Sequence, residues 1–307
     1  GGVALNCVAN GKLLREGPFD DIWIQPDAGD AGGALGAATF VWHQLLDKPR
    51  DNKGKDVQSG SLLGPQNKNA DIKAFLDSVG AVYQYYEDDA SLCEAIAELI
   101  ASERVVGHVA GRMEFGPRAL GNRSILGDAR SRNMQTVMNV KIKCRESFRP
   151  FAPAVLKEHA HEYFDVREGQ DSPYMLLVAP VKQDKRHVVP DDGSKGLDKL
   201  KQIRSVVPAI THVDNSARVQ TIDAERNPRF HGIVSAFYRK TGCPVVINTS
   251  FNVRGEPIVC TPQDAYRCFM STNMDALVVE NFVLRREAQP NAKHFDREAY
   301  LNEFALD

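Results

Sequence analysis

A cluster of cationic residues lies in the middle of the sequence. Residues 112–149 contain nine Arg or Lys residues and only three acidic ones, so this window carries +6 although the whole chain carries −2. A local excess of this kind attracts anions, and the Arg side chain binds phosphate or carboxylate oxygens in pairs. Glycines and prolines surround the cations, which favours an anion-binding loop over a solvated helical face. The nine are Arg112, Arg118, Arg123, Arg130, Arg132, Lys141, Lys143, Arg145 and Arg149.

The end of this window has the densest spacing of cations. Lys143, Arg145 and Arg149 directly precede Pro150, and together they could compensate a triphosphate or two phosphorylated substrates. RNA phosphates could use the same charges. Phe115 and Phe148 are the only aromatic residues of the window, which is few for a platform that stacks bases. The window therefore predicts a site for nucleotide phosphate rather than for nucleic acid.

Two polar segments further along could contribute to the same site. Asn248, Ser250 and Asn252 follow a β-branched run, and α/β enzymes present polar groups at the carboxyl end of a strand. Local turn hydrogen bonds explain the segment equally well. In the other segment, alternation places His212, Asp214 and Arg218 on one side of an extended chain. These side chains form either a ligand-facing row or a structural His–Asp pair.

A glycine-rich turn precedes a run of small residues near the start of the chain. The stretch spans residues 27–38 and includes Asp30 and Gly32. Small residues at a helix N-terminus let backbone N–H groups approach a phosphate. Asp30 is then either the cap of that helix or a carboxylate ligand of a metal bound beside phosphate.

The elements that must position these residues alternate between strand and helix patterns. Apolar runs predict strands at 3–8, 22–25, 81–86, 105–110, 245–248, 276–279 and 282–284, and apolar periodicity predicts helices at 71–78, 91–102 and 230–241. The pattern indicates an α/β protein, and the length of 307 residues allows about two domains. We place the boundary near residue 103.

The composition excludes several classes of protein. No apolar run approaches the ~18 residues of a membrane span, and a pI near 6.5 excludes a uniformly basic nucleic-acid binder. The six cysteines are scattered and form no CxxC pair. They are typical of reduced thiols in a cytoplasmic protein.

Four segments, in order, carry a family resemblance. The segments 112–126, 143–153, 212–220 and 248–257 closely resemble the signatures of the bacterial O-carbamoyltransferases of nodulation, cephamycin and tobramycin biosynthesis. Residues 1–6 and 29–32 resemble the end of the N-terminal domain of that family. The resemblance implies that residues 1–103 are the C-terminal part of an actin-like domain, similar to that of the tRNA threonylcarbamoyl transferases. It implies a YrdC-like domain over residues 104–307.

The resemblance also implies an activity. Such enzymes form carbamoyl-AMP and pyrophosphate from carbamoyl phosphate and ATP, and transfer the carbamoyl group to a hydroxyl of a small molecule. We therefore expect small-molecule partners, no nucleic acid and no membrane, and we leave a homodimer open. The expected cofactors are ATP as co-substrate and a divalent metal, either Mg²⁺ with ATP or an iron-type ion at the transfer site.

Site residues follow from the same resemblance. The residues expected to act on nucleotide and carbamate are Lys143, Arg145, Arg149, Ser250 and Asn252. Those expected to complete the substrate and phosphate pocket are Arg112, Arg118, Arg123, His212, Asp214, Arg218 and Asn248. The glycines expected to face nucleotide are Gly1, Gly2 and Gly32. Asp30 matches a metal ligand of the actin-like half.

The sequence departs from the family in two respects. The His-rich metal motif of the actin-like half is absent from these 307 residues, so we expect a C-terminal fragment that keeps the adenylate-forming half. Asn215-Ser216 stands where a Gly-Thr-like pair is expected. Two other interpretations stay open: a threonylcarbamoyl-adenylate synthase acting in tRNA modification, and an inactive nucleotide-binding fragment.

Overall fold

The central feature of the fold is a mixed β-sheet. The computed structural model describes residues 1–50, 57–189, 193, 196, 199, 202–290 and 295–304. Within these ranges the sheet has nine strands in the order β1-β9-β8-β2-β3-β7-β4-β6-β5. The strands are β1 Gln84–Tyr85, β2 Val106–Val109, β3 Arg123–Asp128, β4 Ala152–Leu156, β5 Leu177–Pro180, β6 Ser216–Ile222, β7 Val245–Ser250, β8 Ala276–Val279 and β9 Phe282–Arg285.

Most neighbouring strands of the sheet run antiparallel. The exceptions are the parallel pairs β2–β8 and β4–β6. The predicted strands at 105–110 and 245–248 are confirmed as β2 and β7, and those at 276–279 and 282–284 form the antiparallel pair β8–β9. The predicted α/β class is therefore confirmed as a mixed α/β fold. The actin-like and YrdC-like assignments of its parts stay predictions.

Helices connect the strands, and several of them pack on the sheet. They are α1 Cys7–Glu16, α2 Asp30–Phe40, α3 Asn69–Ser78, α4 Asp89–Ala101, α5 Met134–Thr136, α6 Ala160–Tyr163, α7 Pro228–Thr241, α8 Pro262–Ser271 and α9 Arg297–Asn302. The predicted helices at 71–78, 91–102 and 230–241 are confirmed as α3, α4 and α7. Asn227 caps α7, Pro228 occupies its first turn, and Gly242 ends it in the left-handed conformation at φ 70°.

The main hydrophobic core forms where α4 and α7 pack against each other and on the central strands. Leu92, Ile96 and Phe237 are completely buried in it. β1 and α4 precede residue 103, yet β1 pairs with β9 and α4 packs on α7. Residues 84–101 thus share the sheet and core of the later part of the chain. The domain boundary at residue 103 stays a prediction.

Three strand predictions were wrong in whole or part. Residues 3–5 lie in a turn and residues 7–8 begin α1, because the Asn6 side chain accepts a hydrogen bond from the Ala9 N–H and so caps a helix. Residues 22–25 have no regular structure, and the strand predicted at 81–86 is reduced to the two residues of β1. In each segment apolar composition alone cannot supply the neighbouring strand that completes a ladder.

The N-terminal segment exposes much apolar surface. α2 is rich in alanine and contains no buried residue, and its last residue, Phe40, is more than half exposed, as are Trp23 and Trp42. None of the helices in the described parts of the chain has the length and apolar character needed to cross a bilayer.

Candidate functional site

Lys143 is the centre of a buried polar cluster. It follows a π-helical turn at residues 137–142, and only 3% of its surface is exposed. Its ammonium donates to the backbone oxygens of Ser250 and Asn252 at 2.5 and 2.9 Å, and contacts Ser250 Oγ at 3.2 Å and Asn252 Oδ1 at 2.6 Å. The structure thus brings together three of the five residues expected to be catalytic. Four oxygens surround an ammonium that has three N–H groups, so all its donors are engaged.

The charge of Lys143 is finely balanced. Burial, and to a smaller extent the positive charge of Arg145, lower the pKa of Lys143 to about 7, although Cys268 and Glu256 oppose the shift. Arg145 lies two residues on, with its guanidinium over the Phe151 ring at 5.0 Å and its Nε donating to Asn139 Oδ1 at 2.6 Å. Burial and then Arg149 lower the pKa of Arg145 to about 10. Two cations therefore lie close together in a partly dehydrated loop.

Arg149 differs from its neighbours because it lies at the surface. Its side chain is 48% exposed and its Nε donates to Glu146 at 3.0 Å. Glu146 also lies 3.7 Å from the guanidinium of Arg254. Arg149 is near Lys143 along the chain, but among the described side-chain contacts it pairs with Glu146 and not with Lys143, Ser250 or Asn252.

A second cationic feature is the pair Arg118 and Arg218, called here the arginine pair. Arg218 lies in β6, and Arg118 lies in the loop before β3. Burial lowers the pKa of Arg218, and the charge of Arg118 lowers it further. Among the described residues, the Nε atoms of both arginines are buried and have no hydrogen-bond partner. Two adjacent cations with unused donors are suited to an anionic ligand.

The loop that carries Arg118 is held by a single carboxylate. Glu114 is buried, and its Oε1 accepts the backbone N–H groups of Leu120, Asn122 and Arg123 at 2.6, 2.8 and 3.3 Å. A carboxylate oxygen can accept several such bonds, and bonds to an ionised group are stronger than neutral ones. Glu114 therefore fixes the path of the chain just after Arg118.

Other side chains hold the carbonyl groups of the same loop. His108 contacts Gly121 O at 2.6 Å, Gln220 donates to Leu120 O at 2.8 Å, and Asn248 donates to Ala119 O at 3.3 Å. Since a carbonyl only accepts, His108 Nδ1 carries the proton. Burial lowers the pKa of His108 to about 4, which keeps the ring neutral. These contacts make the loop that carries Arg118, called here the arginine loop, a preorganised structure rather than a mobile one.

Asn248 connects the two cationic features. It donates to Gln220 Oε1 at 2.7 Å, and its own Oδ1 is buried with no partner in the described structure. Asn248 and Ser250 lie two residues apart on β7, so they share one face of the sheet about 7 Å apart. Gln220 and Arg218 are related in the same way on β6. A row of polar side chains thus runs along the sheet from the arginine pair to Lys143.

Two of the predicted phosphate-binding arginines lie elsewhere. Arg123 is completely buried, and its guanidinium donates only to backbone carbonyls among the contacts of the described structure. These carbonyls belong to Pro65, Ala110, Gly111, Asn122 and Cys260. Arg112 is exposed and its nearest acceptor is Leu63 O at 3.5 Å. The structure therefore does not bring Arg112 or Arg123 to the polar row.

His212 and Asp214 lie in the turn before β6. Ser216 joins them, because its Oγ donates to Asp214 Oδ1 at 2.6 Å and lies 3.3 Å from His212 Nδ1. Burial lowers the pKa of His212, Asp214 opposes that shift and Arg218 adds to it. Asn215 occupies the left-handed region at φ 61°, which explains why this position suits Gly or Asn. The turn is self-contained and borders the arginine pair.

The N-terminal residues predicted to face nucleotide or metal lie at or near the surface. Gly1 and Gly2 are exposed, and the Gly1 amino group contacts Ala28 O. A side chain at Gly32 would collide with Asp27 O, so only glycine fits there. Asp30 is exposed in the first turn of α2. Among the described residues no three His, Cys, Asp or Glu side chains come together to hold a metal, so Asp30 would need further ligands.

Sequence reasoning missed the residues that support the site. Glu114, His108 and Gln220 position the arginine loop, and Asn139 positions Arg145 and the backbone of Arg149. One signal was available: Glu114 is among the three acids in a window of nine cations. Its partners are backbone N–H groups, which no residue pattern reveals.

Comparison with known proteins places this chain in a family. A family model described as the carbamoyltransferase C-terminus matches residues 97–286, and one described as the carbamoyltransferase N-terminus matches residues 1–39. An uncharacterized protein of Synechocystis is 56% identical over the whole chain, which covers 50% of that relative.

Several relatives have functional names, and two of them illustrate the range. Nodulation protein NolO of Bradyrhizobium diazoefficiens is 42% identical over 93% of this chain and 48% of the relative. The 3'-hydroxymethylcephem-O-carbamoyltransferase of Streptomyces clavuligerus is 32% identical over 94% of this chain and 48% of the relative. The chain thus spans about half the length of the relatives it matches. The family models of both terminal regions match this chain, and the larger match covers more than half of the 307 residues. The chain therefore belongs to the carbamoyltransferase family.

Proposed function

We propose that this chain carries the site at which a carbamoyltransferase activates its carbamoyl group as carbamoyl-AMP. The donors are carbamoyl phosphate and ATP. Carbamoyl phosphate is hydrolysed to carbamate and inorganic phosphate. An oxygen of the carbamate then attacks the α-phosphorus of ATP, the bond from that phosphorus to the β-phosphate oxygen breaks, and pyrophosphate leaves.

The observation that carries the proposal is the arginine pair with its unused donors. Negative charge accumulates on the phosphate oxygens in such a transfer, and preorganised cations stabilise that charge without reorganising. The loop of Arg118 is fixed by Glu114, so the pair meets this requirement. Little covalent chemistry is asked of the protein.

Lys143 has a different part in the proposed reaction. We expected from the sequence that it contacts phosphate, but its N–H groups are engaged by Ser250 and Asn252. In this arrangement Lys143 holds the turn after β7 and adds positive charge behind it. Ser250 and Asn252 then orient the carbamoyl or adenylate group, and Arg145 adds a second positive charge beside Lys143.

The transfer of the carbamoyl group to a hydroxyl acceptor is a proposal about the longer protein. The cephem carbamoyltransferase of Streptomyces clavuligerus is named for such an acceptor. We propose a small-molecule hydroxyl acceptor for this protein as well, with a divalent metal that Asp30 helps to bind.

The experiment is the exchange of labelled pyrophosphate into ATP, measured with carbamoyl phosphate present. We expect exchange by the 307-residue chain, and Arg118→Met should reduce it by at least about tenfold, or ~1.4 kcal/mol of transition-state stabilisation. Arg239→Met is the matched control, because Arg239 is exposed on α7 and pairs only with Glu94 among the described contacts.

Three outcomes would contradict the proposal. Exchange that requires threonine and bicarbonate would identify a threonylcarbamoyl-adenylate synthase instead. ATP binding without any exchange would identify a nucleotide-binding fragment. Normal exchange by Arg118→Met would show that the arginine pair is not the phosphate site.

A further inference from the structure

The C-terminal helix α9 contacts both turns of the Lys143 cluster. It follows the last strand and lies outside residues 97–286 of the family match. The Arg297 guanidinium approaches Lys141 O and Cys144 Sγ at 3.3 Å each, on the turn that carries Lys143. The Tyr300 hydroxyl donates to Glu256 Oε1, on the turn that follows β7. One short helix therefore contacts two turns that lie more than a hundred residues apart.

Glu256 connects Tyr300 to the polar cluster. Its Oε2 accepts the Val253 N–H at 2.7 Å, and its backbone oxygen accepts the Asn252 side-chain amide at 2.6 Å. Asn252 Oδ1 in turn accepts the Lys143 ammonium at 2.6 Å. A continuous path of hydrogen bonds and backbone thus leads from the Tyr300 phenol to the Lys143 ammonium.

The position of Tyr300 is closely defined. Only 3% of it is exposed, Arg267 lies over its ring at 5.0 Å, and the Phe304 ring packs edge-on against it. A Cβ at Gly255, where φ is 82°, would lie 2.4 Å from Phe304 O, so the chain just after α9 lies directly against the turn. Burial raises the pKa of Tyr300, and the phenol therefore stays protonated as a donor.

We propose that Tyr300 is a positioning residue, which acts through Glu256 to hold Asn252 and Lys143 in the geometry that adenylate formation requires. The proposal rests on the proposed function for its catalytic consequence. A hydrogen bond from a buried phenol to a carboxylate is among the stronger kinds in proteins. Loss of the hydrogen bond from Tyr300 would let the Glu256 side chain leave the turn and release the Val253 N–H.

The groups that face Lys143 come from several elements. Arg145 lies on its own turn, Glu256 on the turn after β7, and the Cys268 thiol on α8. Tyr300 on α9 reaches Glu256, and Cys268 Sγ also lies 3.5 Å from Glu256 Oε2. Glu256 is the one carboxylate of this set, so its position directly affects the protonation of Lys143.

The first test is kinetic and uses Tyr300→Phe in the 307-residue chain. This change removes one hydroxyl and keeps the ring, so we expect kcat for pyrophosphate exchange to fall about tenfold while KM for ATP changes little. Tyr83→Phe is the matched control, because the Tyr83 hydroxyl donates to Asp77 at the surface. A variant whose kcat equals that of the wild type, or that only unfolds at a lower temperature with unchanged kcat, would overturn the proposal.

The second test needs no activity. In protein labelled with ¹³C at lysine Cε, NMR follows the titration of Lys143, which is assigned with Lys143→Met. We expect a midpoint near the pKa of about 7 in the wild type, and lower midpoints in Glu256→Gln and Tyr300→Phe, since each removes or displaces the carboxylate that favours the charged amine. An unchanged midpoint in Tyr300→Phe would overturn the positioning role. Absence of exchange in the wild type would instead contradict the proposed function, and the titration would still decide the positioning.

Discussion

Two cationic sites on the same sheet use positive charge in opposite ways. Lys143 is surrounded by four oxygens of its own chain, whereas the two guanidiniums of the arginine pair bury Nε atoms that have no partner in the described structure. An ammonium whose donors are engaged supports the protein. A guanidinium whose donors are unused is available to a ligand, and its desolvation is compensated only when an anion binds.

The difference in hydrogen bonding follows from the backbone element that bears each cationic side chain. Lys143 extends a flexible stem from the end of a π-helical turn toward oxygens of the chain segment that ends β7, so its point charge can be surrounded by acceptors. Arg218 projects from a strand and Arg118 from a fixed loop, and neither Nε atom finds an acceptor among the described residues. Residue type and support together decide whether a buried cation is structural or available.

The largest expected effect concerns the support of the arginine loop. Glu114→Ala leaves the N–H groups of Leu120, Asn122 and Arg123 without their acceptor, and each buried unsatisfied group costs about 1–3 kcal/mol. We expect the free energy of unfolding, measured with urea, to fall by at least about 3 kcal/mol. Glu114→Gln keeps an acceptor oxygen and should lose less than half as much. Equal stability of Glu114→Ala and an exposed control, Glu225→Ala, would show that the loop does not depend on this carboxylate.

The next effect tests the comparison directly. Arg218→Met removes a cation with an unused donor, so calorimetry should show pyrophosphate binding weakened by about tenfold or more, as for loss of a charge-assisted contact, with no loss of stability. Lys143→Met removes the partner of four oxygens and should lower the free energy of unfolding. If Arg218→Met instead lowers the free energy of unfolding and leaves the affinity for pyrophosphate unchanged, then Arg218 supports the fold as Lys143 does. The two sites would then not differ in their use of positive charge.

The smallest effect is expected at Arg149. Its ion pair with Glu146 is about half exposed, and such surface pairs contribute roughly 0–1 kcal/mol. Arg149→Ala should therefore change the free energy of unfolding by less than about 1 kcal/mol, and 0.5 M salt should reduce the difference further. If Arg149→Ala lowers the free energy of unfolding as much as Lys143→Met does, then Arg149 supports the fold in the same way as Lys143.

Much of the framework could be predicted from the chain alone. The apolar periodicity of α4 and α7, the β-branched run of β7 and the apolar runs of β8 and β9 are local patterns, and tertiary contacts reinforce them. α1 could not be predicted in this way, because the apolar residues 3–8 resemble a strand until the Asn6 cap and the contact of α1 with β5 are known. The local propensities there are weak, and packing decides between them.

The sequence by itself determined the concentration of cations, the four family segments and the membership in the carbamoyltransferase family. Tertiary structure decided the role of each cation. Lys143 and Ser250 lie 107 positions apart, and Gln220 and Leu120 lie 100 apart, so their contacts depend on the order and register of the strands. Whether a buried donor is used depends on which oxygens the fold places within about 3 Å of it. That placement separates Lys143 from the arginine pair, although all three are simply cations in the sequence.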